Sequence, residues 1–307
     1  MTKVFIKIGW LVNTWRDIFT GCLALDMDLA PAVLQDEAFL KDVKDKSKTK
    51  NRISLWWLGQ SGFLLQWNDI HILIDPYLSD SLTKKYEGSD KPHIRICQKV
   101  IDPARLDFID IVTSSHNHTD HLDAETLIPI LQVNPGIQMI IPEANRAFVC
   151  ERIHTSLSFP HGLNDDESIS IHGIKFHGIP AAHNELERDA TGHCRFMGYI
   201  IECGSKKIYH SGDTVWYPGM VDILKPFHID LALLPINGND PARGIAGNLN
   251  TTEAAELAIS MGARITVPCH YNMFSFNTAD VNLFTRACEE RKIAYKVMNI
   301  GESISLS

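Results

Sequence analysis

The chain has 307 residues, of which 45% are apolar and 21% charged, and its formal net charge is −8. This length and balance are typical of a soluble globular protein with a substantial core. The acidic balance without a basic block argues against a nucleic-acid partner, although a few arginines can still hold a small anion. Seven cysteines without a Cys-x-x-Cys pair indicate reduced thiols and a cytoplasmic location, and no segment has the ~20 apolar residues of a membrane span.

Residues 1–50 differ in pattern from the rest of the chain. Apolar residues between positions 9 and 32 recur at roughly helical spacing, and the charged run 41–50 is typical of an exposed connector. The apolar residues 4–12 are not followed by a small-residue cleavage site, so we expect no signal peptide. We predict that residues 1–50 form a helical extension that packs on the main domain, 51–307, or on another subunit of a homo-oligomer.

From residue 52 the pattern predicts strands first and then alternating strands and helices. Short apolar runs separated by turn signals predict three strands in hairpins, at 53–58, 63–67 and 70–74. Further strands are predicted at 108–113, 137–141, 169–171, 175–179, 197–202, 207–209, 229–234, 265–267 and 295–298. Helices are predicted at 124–132, 144–153, 253–261 (with Thr251 or Thr252 as N-cap) and 280–291. This order favours an α/β (α+β) domain in which two sheets pack face to face with helices outside.

The strongest chemical signal is the segment 115–121, Ser-His-Asn-His-Thr-Asp-His. It follows the predicted strand 108–113 directly, so a buried strand holds the loop. Imidazole and carboxylate are ligand types that suit zinc, manganese and iron. Such a density of them indicates a metal site rather than ordinary structural histidines. The candidate ligands are His116, His118, Asp120 and His121.

Three more ligand-type residues each follow a predicted strand in the same way. They are His183, Asp213 and His270. Because strand ends on one edge of a sandwich can converge, these residues can complete the site that begins in the segment 115–121. Five histidines and two aspartates are enough for two divalent ions, zinc or manganese with iron as a further option, that share Asp213 as a bridge.

The order of these motifs resembles that of the metallo-β-lactamase superfamily: His-x-His-x-Asp-His, a lone His, Ser-Gly-Asp-Thr and a second lone His. The resemblance implies a four-layer αβ/βα sandwich. It also implies that the ligands divide into two sets, one per ion. These are His116, His118 and His183 for one ion, and Asp120, His121 and His270 for the other.

Finer motifs are similar to those of the L-ascorbate-6-phosphate lactonase (UlaG-like) branch of that superfamily. They lie at residues 56–62, 74–76, 209–213, 239–244 and 270–271. This resemblance implies a metal-dependent hydrolase in which a metal-bound hydroxide opens a phosphorylated sugar lactone such as L-ascorbate 6-phosphate. Phosphodiester hydrolysis at the same site is the first alternative. A non-catalytic scaffold that only binds metal is the second.

Five residues are candidates for roles beside the ions. Asp75 resembles the superfamily aspartate that orients a metal-bound histidine, and Asp120 is the candidate proton donor to a departing alkoxide. Arg243, in a loop rich in Gly and Asn, is the candidate clamp for the phosphate or carboxylate of a small anionic substrate. Tyr271 and Trp216 neighbour ligand positions and are candidates to line the pocket. The alternatives are that Asp120 serves only as a ligand, that Asp75 only begins a turn and that Arg243 is an ordinary exposed residue. For Tyr271 and Trp216 the alternative is packing alone.

Overall fold

A computed structural model of the protein describes residues 29–244 and 246–306, and within them thirteen strands form two sheets. The first sheet contains β1 (Ile53–Gly59), β2 (Gly62–Trp67), β3 (Ile70–Ile74), β4 (Ile111–Thr113), β5 (Gln138–Pro142), β6 (His161–Leu163) and β13 (Ser303–Leu306). The second contains β7 (Ser168–Ile171), β8 (Ile174–Pro180), β9 (Met197–Cys203), β10 (Lys206–His210), β11 (Leu231–Pro235) and β12 (Ile265–Cys269).

Seven α-helices of the described residues precede, separate or follow the strands along the chain. They are α1 (Asp36–Lys46), α2 (Ser81–Lys85), α3 (Ala124–Val133), α4 (Arg146–Arg152), α5 (Met220–Leu224), α6 (Thr251–Met261) and α7 (Val281–Arg291). Single turns of 3-10 helix lie at Pro103–Arg105, Glu143–Asn145, Lys225–Phe227 and Pro241–Arg243. None of the helices within residues 29–244 and 246–306 combines the length and the apolar character that a membrane crossing requires.

Both sheets follow the same plan, in which hairpins are continued by parallel strands. The order of the first sheet is β13-β1-β2-β3-β4-β5-β6, antiparallel as far as β3 and parallel from β3 to β6. The order of the second is β12-β11-β10-β9-β8-β7, antiparallel from β7 to β10 and parallel from β10 to β12. Strands that run in the same direction have their carboxyl ends on the same side of a sheet. Therefore the carboxyl ends of β3 and β4 lie on one side of the first sheet, and those of β8, β10 and β12 lie on one side of the second.

The two sheets face each other across one core. The rings of Phe63 on β2 and His210 on β10 lie 6.2 Å apart, and the Tyr199 hydroxyl on β9 donates a hydrogen bond to the Ser114 carbonyl after β4. Every residue of β1 and of β11 is buried, as expected for strands that are covered on both faces. The predicted α/β class with two packed sheets is confirmed.

Two glycines permit close packing of the backbone near the ends of β4 and β10. Gly212 has φ +60°, and a Cβ there would lie 2.6 Å from the Met197 carbonyl oxygen and 2.8 Å from the Ser115 Cβ. A Cβ on Gly198 would lie 2.7 Å from the His210 carbonyl oxygen. Such distances are too short for carbon, so only glycine permits this approach.

The N-terminal part of the described chain packs on the first sheet. Helix α1 buries Phe39 and Val43, and the aromatic ring of Phe39 meets Trp56 of β1 edge to face at 6.2 Å. Residues 41–46 therefore belong to a packed helix, and the prediction of an exposed connector over 41–50 is wrong for them. The single apolar Val43 turns to the core while its charged neighbours stay in water. The rest of the predicted helical extension, 1–28, lies outside the described residues.

A polar cluster joins α1 to β1 and β13, two neighbouring strands of the first sheet. The Asp42 carboxylate accepts hydrogen bonds from Trp56 Nε1 at 2.8 Å and from the Ser303 hydroxyl at 3.0 Å, and it pairs with Lys46 at 2.5 Å. The helix is thus tied to β1 and to β13 at once.

Two further sequence predictions differ from the structure. Residues 295–298 form no strand; within them Tyr295 makes a single bridge to Thr266, and the last strand is β13, paired with β1. The N-cap of α6 is Asn250 instead of a threonine. Its side chain accepts two backbone N–H groups, and Glu253 completes a capping box.

Candidate metal centre

The predicted ligands meet at one edge of the sandwich. Four lie on the loop after β4, and three lie one each after β8, β10 and β12. They form three overlapping groups whose ligand atoms lie within 4.8 Å of one another: His116, His118 and His183; His116, His121 and Asp213; and Asp120, His121 and His270. One loop of the first half thus meets three separate strand ends of the second half.

Asp213 lies between the two outer groups. Its Oδ1 is 3.3 Å from His121 Nε2, and its Oδ2 is 3.5 Å from His270 Nε2 and 3.9 Å from His183 Nε2. The side chain is 3% exposed. A buried carboxylate that faces both groups suits a ligand shared between two ions.

Asp75 supports the ligand loop from the end of β3. Its Oδ2 lies 2.6 Å from His121 Nδ1, and its Oδ1 accepts the backbone N–H of Ser115 at 2.9 Å. The Ser115 hydroxyl also donates to this carboxylate. A carboxylate on Nδ1 fixes the ring and leaves Nε2 of His121 free for an ion.

Other contacts fix the remaining rings. His183 Nδ1 lies 2.8 Å from the Gly247 carbonyl oxygen, and His116 Nδ1 lies 3.0 Å from the Ser115 hydroxyl. Gln60 Nε2 donates to Asp120 Oδ2 at 3.2 Å and lies 3.4 Å from both ring nitrogens of His270. Sequence reasoning treated Gln60 only as part of a turn, because its partners lie far along the chain.

Three non-glycine residues at the centre have left-handed backbone conformations. These are Gln60 (φ +45°), Asp75 (φ +42°) and His270 (φ +63°), all of them buried. Each such conformation costs on the order of 1 kcal/mol or more, and it persists only where the surroundings fix it. The turns that carry these side chains are therefore strained, and the strain is tolerated because it places the three side chains at the centre.

The carboxylates and imidazoles polarise one another. Burial opposes charge on His121, yet Asp213 and Asp120 raise its pKa well above the ordinary value, and they raise the pKa of His270 to about 9. Burial likewise opposes charge on Asp213, but His121 and His270 hold its pKa well below the usual range. In contrast, burial lowers the pKa of His118 to about 4.

The residues present fit divalent ions. The Nε2 atoms of His116 and His121 are buried and have no hydrogen-bond partner among the described residues. An unpaired buried nitrogen is costly, and metal coordination would satisfy both atoms. Nitrogen and carboxylate oxygen without thiolate suit zinc, manganese or iron.

A cavity of about 490 Å³ opens over these groups. Its floor contains His118, Asp120, His183, Asp213 and His270, and its wall includes Lys85, Tyr86, His93, Phe148 and Arg152. None of these five wall residues was singled out from the sequence for a functional role, because they lie in segments with no chemical motif of their own.

The three residues predicted to bind substrate lie elsewhere. Arg243 donates to the Gly238 carbonyl at 2.5 Å and to Asn277 Oδ1 at 3.2 Å. Tyr271 is 1% exposed and stacks on Trp57, and Trp216 packs half-buried against the core. None of the three is among the residues that line the described cavity.

Comparison with known proteins gives a family and a fold. A family model described as a beta-lactamase superfamily domain matches residues 71–271. A protein of Methanosarcina mazei that is described as a UPF0173 metal-dependent hydrolase is 30% identical over 260 residues, which cover 83% of this chain and 99% of the relative.

Two solved structures share the fold at lower identity. The metallo-beta-lactamase fold protein YhfI from Bacillus subtilis superposes with a TM-score of 0.61 at 18% identity, covering 84% of this chain and 100% of the other. An isothiocyanate hydrolase from Delia radicum gut bacteria superposes with a TM-score of 0.65 at 21% identity, covering 83% and 99%. Both likenesses concern the sandwich and its topology.

Proposed function

The chain belongs to the beta-lactamase superfamily and is a metal-dependent hydrolase, and from this premise we propose that it opens a small anionic lactone, such as a phosphorylated sugar lactone. The observation that carries the proposal is the position of Asp213 between two groups of ligands at the floor of an open cavity. The similarity of residues 56–62 and 239–244 to the lactonase branch supports the choice of a lactone.

The chain's own residues divide the work of such a site. His116, His118 and His183 would hold one ion, and Asp120, His121 and His270 would hold another, with Asp213 shared between them. Ions held there would supply a hydroxide nucleophile at neutral pH and would polarise the oxygen of the electrophile.

Asp120 is placed to move a proton. Burial opposes its charge, yet His121 and His270 hold its pKa well below the usual range. It lines the cavity, and its Oδ2 lies 3.4 Å from His270 Nε2. We propose that it takes up the proton that water loses in forming the hydroxide nucleophile and delivers this proton to the departing alkoxide of the lactone.

The test is a substrate comparison on the full chain loaded separately with zinc, manganese and iron. The panel contains a phosphorylated sugar lactone, its unphosphorylated counterpart and bis(p-nitrophenyl) phosphate, with Asp213→Ala as the inactive control. We expect the phosphorylated lactone to be hydrolysed fastest. Hydrolysis of the phosphodiester alone would replace the lactonase with a phosphodiesterase, and metal binding without any turnover would favour a binding scaffold.

We also propose that the protein acts in the cytoplasm as a homo-oligomer. The six cysteines of the described residues are all free and buried, which fits a reducing compartment. Since residues 29–50 pack on their own domain, residues 1–28 are the part to remove. We expect light scattering to give a smaller assembly for the chain without them, and an unchanged mass would contradict the proposal.

A further inference from the structure

The lining of the cavity includes two cations from outside the ligand loops. Lys85 ends α2 and Arg152 ends α4, and both line the cavity. The carboxylates of the same lining, Asp120 and Asp213, belong to the ligand groups. The two positive charges of Lys85 and Arg152 balance the two negative charges of these aspartates. A divalent ion bound at the floor would therefore give the cavity a net positive charge.

Arg152 is fixed by the backbone of the ligand loop. Its Nη1 donates to the Asn117 carbonyl at 2.7 Å and to the Leu122 carbonyl at 3.2 Å, one near the start of the loop and one at its end. Its guanidinium also lies 4.3 Å from the centre of the Phe148 ring. A cation held in this way loses little freedom when it binds an anion.

Arg152 lacks an acid partner, unlike six of the eleven arginines of the described residues. Six arginines of the described residues pair with carboxylates: Arg95, Arg105, Arg146, Arg188, Arg264 and Arg291. Arg152 is half-buried and forms no such pair there, and burial lowers its pKa although Asp123 acts against this. A half-buried guanidinium that lines a cavity and pairs with no carboxylate of the described residues is suited to bind a ligand that carries a carboxylate.

Lys85, like Arg152, has no acid partner in the described part of the chain, whereas the adjacent Lys84 has one. Lys84 pairs with Glu125 at 2.8 Å and does not line this cavity, whereas Lys85 forms no ion pair with the described residues. Its ammonium lies 5.2 Å from the ring centre of Tyr86, which is also part of the wall. The two adjacent lysines therefore provide a matched pair for experiment.

We propose that Arg152 and Lys85 form an anion subsite that binds a carboxylate or phosphate group of the substrate while its reacting bond lies over the ligand groups. The inference rests on the proposed function and deepens it, since it places the anionic end of the substrate. It also replaces Arg243, which does not line this cavity, as the residue that selects this charge. A guanidinium suits such groups because its N–H donors match two oxygens at once.

Hydroxamates of equal length test the subsite without a known substrate. Butyrohydroxamate and succinohydroxamate both bind metal through the hydroxamate, but only the second ends in a carboxylate; valerohydroxamate and glutarohydroxamate form a pair one carbon longer. Calorimetry on the metal-loaded full chain measures their dissociation constants. We expect the anionic member of at least one pair to bind about tenfold to a hundredfold more tightly, as for hydrogen bonds to a charged group.

The variants are Arg152→Met and Lys85→Met, with Lys84→Met as the matched control. Each of the first two should reduce the preference for the anionic probe, while Lys84→Met should retain it. Because Arg152 also holds the ligand loop, its variant is accepted only if butyrohydroxamate affinity is unchanged; otherwise Lys85→Met decides.

Each failure has its own signature. Equal affinities within both pairs for the wild type, or an anion preference that survives in Lys85→Met and Arg152→Met, overturns the subsite and leaves the hydrolase intact. Failure of all four hydroxamates to bind the metal-loaded protein contradicts the metal-dependent site itself, and the subsite falls with it.

Discussion

The two sheets are built on one plan, yet they supply the candidate metal centre in different ways. The first sheet presents four ligands on the single loop 116–121 after β4, and the second presents one ligand after each of three strands. A loop can place several side chains with support from the neighbouring strand, such as the contact of Asp75, directly after β3, with His121. Separate strand ends converge only when the whole sheet is folded. The loop therefore depends on its nearest supports, and the strand ends depend on the fold.

The largest effect should come from the ligand that joins the two regions. We expect Asp213→Ala to abolish hydrolysis and to lower the metal content of both outer groups, because its carboxylate faces both. His118→Ala, in one outer group alone, should lower the metal content less. Elemental analysis of metal per chain together with activity measures both. Full activity and full metal content in Asp213→Ala would show that Asp213 is not shared.

The next effect tests the local support of the loop. We expect Asp75→Asn to reduce metal affinity or activity about 10- to 100-fold, as is typical for residues that orient a ligand. The control is Asp110→Asn in the same sheet, which accepts the backbone N–H of His71 at 2.8 Å outside the site. Metal titrations should give the control wild-type affinity. If both variants weaken metal binding equally, Asp75 acts through the stability of the sheet instead.

A third effect concerns the approach of the two sheets. We expect Gly212→Ala to lower the free energy of unfolding by about 1–3 kcal/mol, because its Cβ would meet Met197 and Ser115. Gly136→Ala, where a Cβ meets nothing within 4 Å, should be neutral or slightly stabilising. Urea unfolding of both variants measures the difference. Equal stabilities would mean that the loops can separate without cost.

The smallest effect lies far from the centre. We expect Asp42→Asn to lower the free energy of unfolding by about 1 kcal/mol or less, since the partly exposed carboxylate loses charged hydrogen bonds, and to leave metal binding unchanged. Burial opposes the charge of Asp42, yet Lys46, Trp56 and Ser303 hold its pKa below the ordinary 3.8. Its contribution is therefore present above pH 3.8 and is lost as the pH falls through the folded-state pKa. Unfolding curves of wild type and variant should converge at acid pH.

The difference between the two regions also explains what the sequence reveals. The ligand loop can be recognised from the sequence because four ligand-type residues lie in one short segment, and the lone ligands can be recognised because each follows an apolar strand. Tyr271 was misleading because adjacent residues direct their side chains differently: His270 faces the cavity, whereas Tyr271 packs on Trp57. Arg152 has no local signal, since only folding brings α4 onto the ligand loop.

The elements that the sequence did not predict also depend on contacts that exist only in the folded protein. The segment Ser303–Leu306 is short and half polar, and it becomes a strand only through its partner β1. In α1, one apolar Val43 among charged residues gives too weak a pattern to separate a packed helix from a solvated connector.

The pairing of β13 with β1 has a consequence for the chain as it leaves the ribosome. All other described strands, and all seven candidate ligands, are synthesised before β13. A nascent chain can therefore hold the complete set of ligands while β1 still presents a row of unpaired backbone groups. Such an open edge invites pairing with another copy or capture by a chaperone. Synthesis interrupted before β13 would thus yield a chain that carries all seven candidate ligands but whose unpaired β1 is prone to pair with other chains.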